Sequence, residues 1–146
     1  MIYKNVKEGV FLSRPNRFIA NVQVDGEIEI CHVKNTGRCK ELLIPGVRVY
    51  LEKSENASRK TAYDLISVYK GDKLFNIDSN APNKVFFEWI HGIEEITFIK
   101  PECKYKNSRF DFYLETEDKK VFVEVKGVTL EKDGVFYFPM LRPRGA

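Results

Sequence analysis

The sequence offers little for sulfur chemistry and little imidazole. Its three cysteines, Cys31, Cys39 and Cys103, are odd in number and lack CxxC spacing, which argues against a disulfide framework and for a reducing compartment. The two histidines, His32 and His91, stand apart. Cys31 and His32 adjoin on a strand-like stretch, so they face opposite sides and do not readily chelate one zinc. No apolar run approaches the roughly 20 residues that a membrane span needs, and MIYKNVKEGV lacks the apolar core of a signal peptide. The expectation is a cytoplasmic protein with no membrane partner. Charge of one sign is scarce too: 24 Lys and Arg against 21 Asp and Glu leave +3, so any case for nucleic acid rests on clustering.

What is present is enough for a packed core. With 146 residues, 43% hydrophobic and 13% aromatic, the chain has room for one domain or two small ones. From Val10 to Val24 apolar positions alternate around a Ser-Arg-Pro-Asn interruption, and Asp25-Gly26 is a hairpin turn before EIEICHV. Lys34 to Gly37 is a second turn, Arg38 to Leu43 makes one helical turn, and Pro45-Gly46 ends it. VRVYLEKS, TAYDLISVYKG and LFNIDS follow as short strands. Five or more short strands in about eighty residues predict a small barrel or sandwich, the five-stranded OB type fitting best. Domain one is read as residues 1–80.

Near Ser79 the pattern changes. Ser79 or Asn80 caps a helix with Pro82 in its first turn, and Val85, Phe86, Trp89, Ile90 and Ile93 recur at helical spacing. A strand at Ile96 to Lys100 and a hairpin come next, so residues 81–146 read as the start of an α/β domain.

The hairpin, Asn107 to Gly127, is the stretch richest in chemistry. Phe110, Phe112 and Leu114 are expected on one face, as are Val121, Val123 and Val125, with Phe122, Glu124 and Lys126 on the reverse. Pairing Glu115 with Lys120 sets a register in which Asp111 falls opposite Glu124. Directly opposed Cβ atoms lie about 4.5–5.5 Å apart, and like charges so placed destabilise a sheet. A divalent cation, Mg²⁺ or Mn²⁺, bound by Asp111 and Glu124 compensates, with Lys126 offsetting phosphate charge. The outline is a metal-dependent phosphodiester site with Asp111, Glu124 and Lys126 as its catalytic set. Glu88 on the helix is a further candidate carboxylate. The bland alternative is a solvated hairpin face with scattered charges.

Basic residues gather at strand ends: Arg14 and Arg17 around the Pro-Asn turn, Lys34, Arg38 and Lys40 around the Asn-Thr-Gly turn, and Arg59 and Lys60 before a strand. On a small barrel such loops can converge on one nucleic-acid surface, with Phe11, Phe18, Tyr50 and Tyr63 as stacking platforms. The alternative makes these aromatics core and these cations solvent-facing.

With these segments in view, the chain resembles the bacterial and archaeal sugar fermentation stimulation protein A family. The matching stretches are HVKNTGRCKELLIPG, RKTAYDLISV, NIDSNAPN, SRFDFYLE and VEVKGVTL, spread in order over nearly the whole chain. The resemblance implies an α+β two-domain chain: an N-terminal OB-like barrel and a truncated C-terminal α/β domain of the PD-(D/E)xK nuclease type. It also implies DNA binding without strong sequence preference and a regulatory link to sugar (maltose) metabolism, with Asp111, Glu124 and Lys126 on the nuclease-like motif. One stretch departs. Where the family reads Phe-Pro-Asp-Ala-x-Thr-x-Arg-Gly, this chain has FPMLRPRG at Phe138 to Gly145. Family members continue with a helix and strands that complete the sheet. Without them the hairpin keeps an exposed apolar edge, which favours a homo-oligomer. Three readings follow: a sequence-nonspecific DNA-binding protein with a nuclease-like metal site, a Mg²⁺-dependent DNA endonuclease, and a non-enzymatic protein-interaction module.

Overall fold

Alternation in the first quarter of the chain becomes an antiparallel meander of β1 (Val6–Ser13), β2 (Ile19–Val24) and β3 (Glu27–Val33). The β2–β3 turn is the expected Asp25-Gly26, with φ of 51° and 84°, the two left-handed residues that a type I′ hairpin requires. Within β1 a Cβ on Gly9 would meet Val22 Cγ1 at 2.7 Å and the Gln23 carbonyl at 2.9 Å, so the absence of a side chain there lets β1 close on β2.

After the hydrogen-bonded turn at Cys39 to Leu43, β4 (Arg48–Lys53) pairs antiparallel with β1, and β5 (Tyr63–Lys70) antiparallel with β4. The barrel closes because β5 also runs parallel to β3, Cys31 opposite Tyr63 and Val33 opposite Leu65. This is a closed five-stranded OB barrel, with β6 (Lys73–Asn76) added on β5. Inward positions of successive strands, among them Phe11, Val22, Val49, Leu51, Leu65 and Val68, form its core. Full burial of each such side chain contributes roughly 1.5–3 kcal/mol.

The helix falls where expected. In α1 (Ala81–Ile90) Asn80 is the N-cap residue and Pro82 lies in the first turn, where its missing N–H costs nothing. Phe86, Ile90 and Ile93, at i, i+4 and i+7, face the sheet. Val85 and Trp89, grouped with them by spacing, are exposed; they form the next row round the helix, about 100° away. The sheet beneath consists of β7 (Phe98–Tyr105), β8 (Ser108–Glu115) and β9 (Lys120–Val123) in that order. Thus β7 begins later and runs further than Ile96 to Lys100. Glu115 pairs with Lys120, as the turn implied, and Leu114 with Val121 and Phe112 with Val123. Phe112 and Leu114 are the buried sheet residues of this second core, with Ile96, Ile99, Val123 and Val125 around them.

Phe110 departs from the expected face. Its ring packs on Phe122, 4.9 Å between centroids, while Phe112 packs on Phe86, also 4.9 Å. Tyr105 also packs at a tilt on Phe122, 4.9 Å between centroids, so the end of the β7–β8 hairpin curls over the outer side of the sheet. Glu102, at φ 53°, marks the break in alternation on β7.

The structure describes residues 1–138, as a computed structural model, and they form two units. A barrel unit comprises 2–79 together with 128–138, and a hairpin unit comprises 80–127 with Met1. The chain therefore returns to the barrel after the sheet, beyond the single boundary placed near residue 80. The returning segment forms a small hairpin of β10 (Glu131–Lys132) and β11 (Val135–Phe136). Its anchor is Glu131, 4% exposed, whose carboxylate receives Lys70 at 2.8 Å, Lys73 at 2.7 Å and the Gly134 amide. Those hydrogen bonds hold its pKa down at about 2. Phe136 packs at a tilt against Phe75 beside it. The departure from the family pattern at FPMLRPRG lies, after Phe138, outside the described residues.

Candidate nucleic-acid and metal sites

The seven basic candidates divide by what their charges meet. Asp64, 4% exposed on β5, draws two of them. Arg59 donates to both its oxygens, Nη2 to Oδ1 at 2.7 Å and Nη1 to Oδ2 at 3.1 Å. Lys34 Nζ lies 3.2 Å from Oδ2, and His32 Nδ1 3.1 Å from Oδ1. Burial opposes the charge on Asp64, but the hydrogen bonds from Arg59 and Lys34 outweigh it and hold the pKa at about 2. Lys34 also approaches Asp78 at 4.0 Å, and Asp78 accepts from the Tyr3 hydroxyl at 3.0 Å. Lys34 and Arg59 are thus neutralised inside the barrel unit. The cleft beside Arg59, about 360 Å³, is also lined by Glu52, Glu55 and Asp64, a poor receptacle for a polyanion. Lys60 is exposed in the same loop and lines neither this cleft nor the next.

Arg14 behaves differently. Its guanidinium donates to four backbone carbonyls, those of Arg17, Asn35, Gly37 and Arg38, at 2.7, 2.7, 2.7 and 2.8 Å. Carbonyls satisfy its two terminal nitrogens without cancelling its charge, while its Nε is buried without a hydrogen-bond partner among the described residues. Arg14 therefore ties the β1–β2 loop to the β3–β4 segment and leaves a full positive charge between them. Asparagines complete the fit: Asn16 Oδ1 accepts from the amides of Phe18 and Ile19. Asn35 Oδ1 accepts from the Gly37 amide while its Nδ2 donates to the Ile77 carbonyl. These are the local bonds that make Asn a turn residue. The result is a cleft of about 290 Å³ lined by Arg14, Asn16, Arg17, Arg38, Lys40 and Leu43, with no carboxylate among the described residues.

Of the four stacking candidates, Phe11 and Tyr63 are core residues, 1% and 6% exposed, because inward positions of a closed barrel must be filled. Tyr50 is half-buried against Tyr69, whose ring already carries Arg48 at 4.0 Å. Phe18 alone of the four is open, at 60%.

In the hairpin unit Asp111 is held by two neutral donors. Oδ2 accepts from the Val125 amide at 2.7 Å and Oδ1 from Asn83 Nδ2 at 3.0 Å. Strand pairing ends at Phe112–Val123, so the carboxylate of Asp111 replaces a carbonyl for the next stretch of chain. Glu124 and Lys126 are exposed there and paired with each other. Hydrogen bonding to Glu124 raises the Lys126 pKa. Glu88 does not join them; it pairs with the Met1 ammonium. Asn83 was not picked out from the sequence, yet 83, 86 and 90 lie on one helical face, and a lone polar residue on that face is the signal that finds it.

Asp111 and Glu124 supply hard oxygen donors of the kind Mg²⁺, Mn²⁺ or Ca²⁺ takes, with the remaining positions left to waters and phosphates. Among the described residues no group of three or more His, Cys, Asp or Glu side chains converges. Among them, too, no helix is long and apolar enough to cross a membrane.

Barrel and sheet together define a two-domain α+β protein, an OB barrel followed by part of an α/β domain. Residues 12–77 match the SfsA N-terminal OB domain and residues 80–142 the sugar fermentation stimulation protein RE domain. The chain belongs to the sugar fermentation stimulation protein family. It is 60% identical over 142 residues to the sugar fermentation stimulation protein homolog of Ruminiclostridium cellulolyticum, covering 95% of this chain and 63% of the relative. It is 62% identical over 141 residues to that of Desulfitobacterium hafniense strain Y51, covering 95% and 62%. Among solved structures it is similar to that titled "The structure of Pyrococcus Furiosus SfsA in complex with Ca2+", with TM-score 0.75 and 31% identity over 90% of this chain and 58% of that one. The chain thus spans somewhat under two thirds of the length of these relatives.

Proposed function

We propose that the protein binds DNA through its barrel loops without sequence preference and holds a divalent cation at a nuclease-like site on its hairpin. The observation that carries the first part is the carboxylate-free cleft in which Arg17, Arg38 and Lys40 surround an Arg14 braced by carbonyls. Such a cleft suits phosphate oxygens and makes no contact that depends on base identity. The second part is supported by Asp111, oriented by Asn83 and the Val125 amide without being neutralised, and by the Ca²⁺ complex named for the solved relative. A regulatory link to sugar (maltose) metabolism rests on the family alone.

The pairing of Glu124 with Lys126 beside Asp111 favours a second reading, phosphodiester hydrolysis. When bound, the cation supplies an activated water; Asp111 and Glu124 hold it, and Lys126 offsets charge developing on the phosphate. Supercoiled plasmid incubated with the protein and Mg²⁺ or EDTA, beside Glu124→Gln, distinguishes the two on one gel. A mobility shift that weakens steeply with NaCl, without nicking, is the expected result. Metal-dependent nicking lost in the variant makes the protein an enzyme. A shift unchanged by salt overturns the phosphate reading.

A further inference from the structure

The proposed function leaves open which form of nucleic acid the barrel takes. A narrow answer lies in Phe18. Its backbone is fixed on both sides: the amide donates to Asn16 Oδ1 at 2.8 Å and the carbonyl accepts from the Val33 amide at 2.7 Å. Its ring nevertheless stays 60% exposed. A large apolar side chain on a backbone hydrogen-bonded on both sides, left in water, is a preformed contact surface. It follows Arg17 directly in the chain, about 3.8 Å away between Cα atoms, and Arg17 lines the cationic cleft. On an OB barrel the β1–β2 loop and the face of strands 2 and 3 are where oligonucleotides lie. A phosphate in the cleft and a flat apolar surface one residue away match a single nucleotide. In a duplex each base face is already covered by its stacked neighbours, so only an unpaired base can use the ring.

Resting on the DNA-binding reading, we infer that the cleft and Phe18 form a single-strand site: a phosphate lies among Arg17, Arg38 and Lys40, and the adjoining base stacks on the Phe18 ring. No base edge is read, because every base has a π face.

The test is fluorescence anisotropy of the full chain with a labelled oligo(dT) and with a hairpin duplex of equal nucleotide count, for wild type, Phe18→Ala, Phe18→Trp and Arg38→Ala/Lys40→Ala. Wild type is expected to bind the single strand more tightly. Phe18→Ala should weaken it about fivefold to a hundredfold, the range of one lost stacking contact, with duplex affinity changed less than twofold and Phe18→Trp restoring binding. The double variant should weaken both ligands and lower the salt slope. Phe18 makes its two bonds through the backbone, so the alanine variant keeps them, and circular dichroism verifies its fold. If Phe18→Ala leaves single-strand binding within twofold, or weakens both ligands equally, the single-strand site is overturned while the phosphate cleft stands. If wild type binds neither ligand, both fall.

Discussion

The two units treat ionic groups in opposite ways. In the barrel unit, buried Asp64 and Glu131 each meet two cationic side chains at 2.7 to 3.2 Å, and both carboxyls are held at about 2. In the hairpin unit, Asp111 meets an amide nitrogen and an asparagine. The first arrangement cancels charge and serves the fold; the second fixes a carboxylate in place and leaves its charge for something else. The same contrast separates the basic candidates of the barrel loops: Arg59 is closed on a carboxylate, whereas Arg14 is closed on carbonyls. A charged residue is a functional candidate when its partners orient it without neutralising it.

Asp64 is the anion on which the barrel's ionic network depends most. Asp64→Asn leaves Arg59 without its anion and Lys34 with Asp78 alone, and should cost about 3–5 kcal/mol, the usual effect of removing one partner from a buried pair, read from urea unfolding of the barrel. A loss below about 1 kcal/mol would mean that the network is solvated. The pH dependence sharpens the same point. The folded pKa values of Asp64 and Glu131 lie below the ordinary carboxylate range, so their contribution is complete above about pH 5 and is lost as pH falls towards 2. Thermal midpoints should be level from pH 7 to 5 and drop below 4, less steeply in Asp64→Asn.

Arg14→Ala strips one side chain from four carbonyls and should destabilise by about 2–3 kcal/mol, given roughly 1 kcal/mol for each bond and partial replacement by water. Arg14→Lys, which keeps the charge but not the fork, should lower DNA affinity several-fold. In the hairpin unit the predicted stability effects are smaller and the ligand effects larger. Asp111→Asn should change stability by no more than about 1–2 kcal/mol, the worth of its hydrogen bonds, while removing Mn²⁺ or Ca²⁺ binding in calorimetry. Retained metal binding would remove Asp111 from the site. Smallest of all, Lys126→Gln frees Glu124 from its pairing and should shift metal affinity by only a few-fold.

The barrel was legible because its pattern is local. Asp25-Gly26 fixes one turn and strict alternation fixes three strands, so the OB assignment needed little more than counting. The Glu115–Lys120 register was legible for the same reason. What escaped depends on distant groups: that Lys34 and Arg59 share Asp64 requires β3 and β5 to lie side by side, which no spacing reveals. Phe11 and Phe18 look alike in sequence, and only closure of the barrel sends one inward and leaves the other out. The Phe110 face was misread because the β7–β8 hairpin curls where Glu102 takes a left-handed turn. Asp111 was found through its neighbours in the motif; its positioner Asn83 was not, because it comes from the helix.

The clasp at Glu131 gives the chain an order of assembly. The barrel unit holds residues from both before and after the hairpin unit, so Lys70 and Lys73 emerge from a ribosome about sixty residues ahead of the carboxylate that joins them. Until that segment arrives, the nascent barrel carries two lysines and the Phe75 edge uncovered, and a stalled chain released before residue 131 should be the form most sensitive to protease.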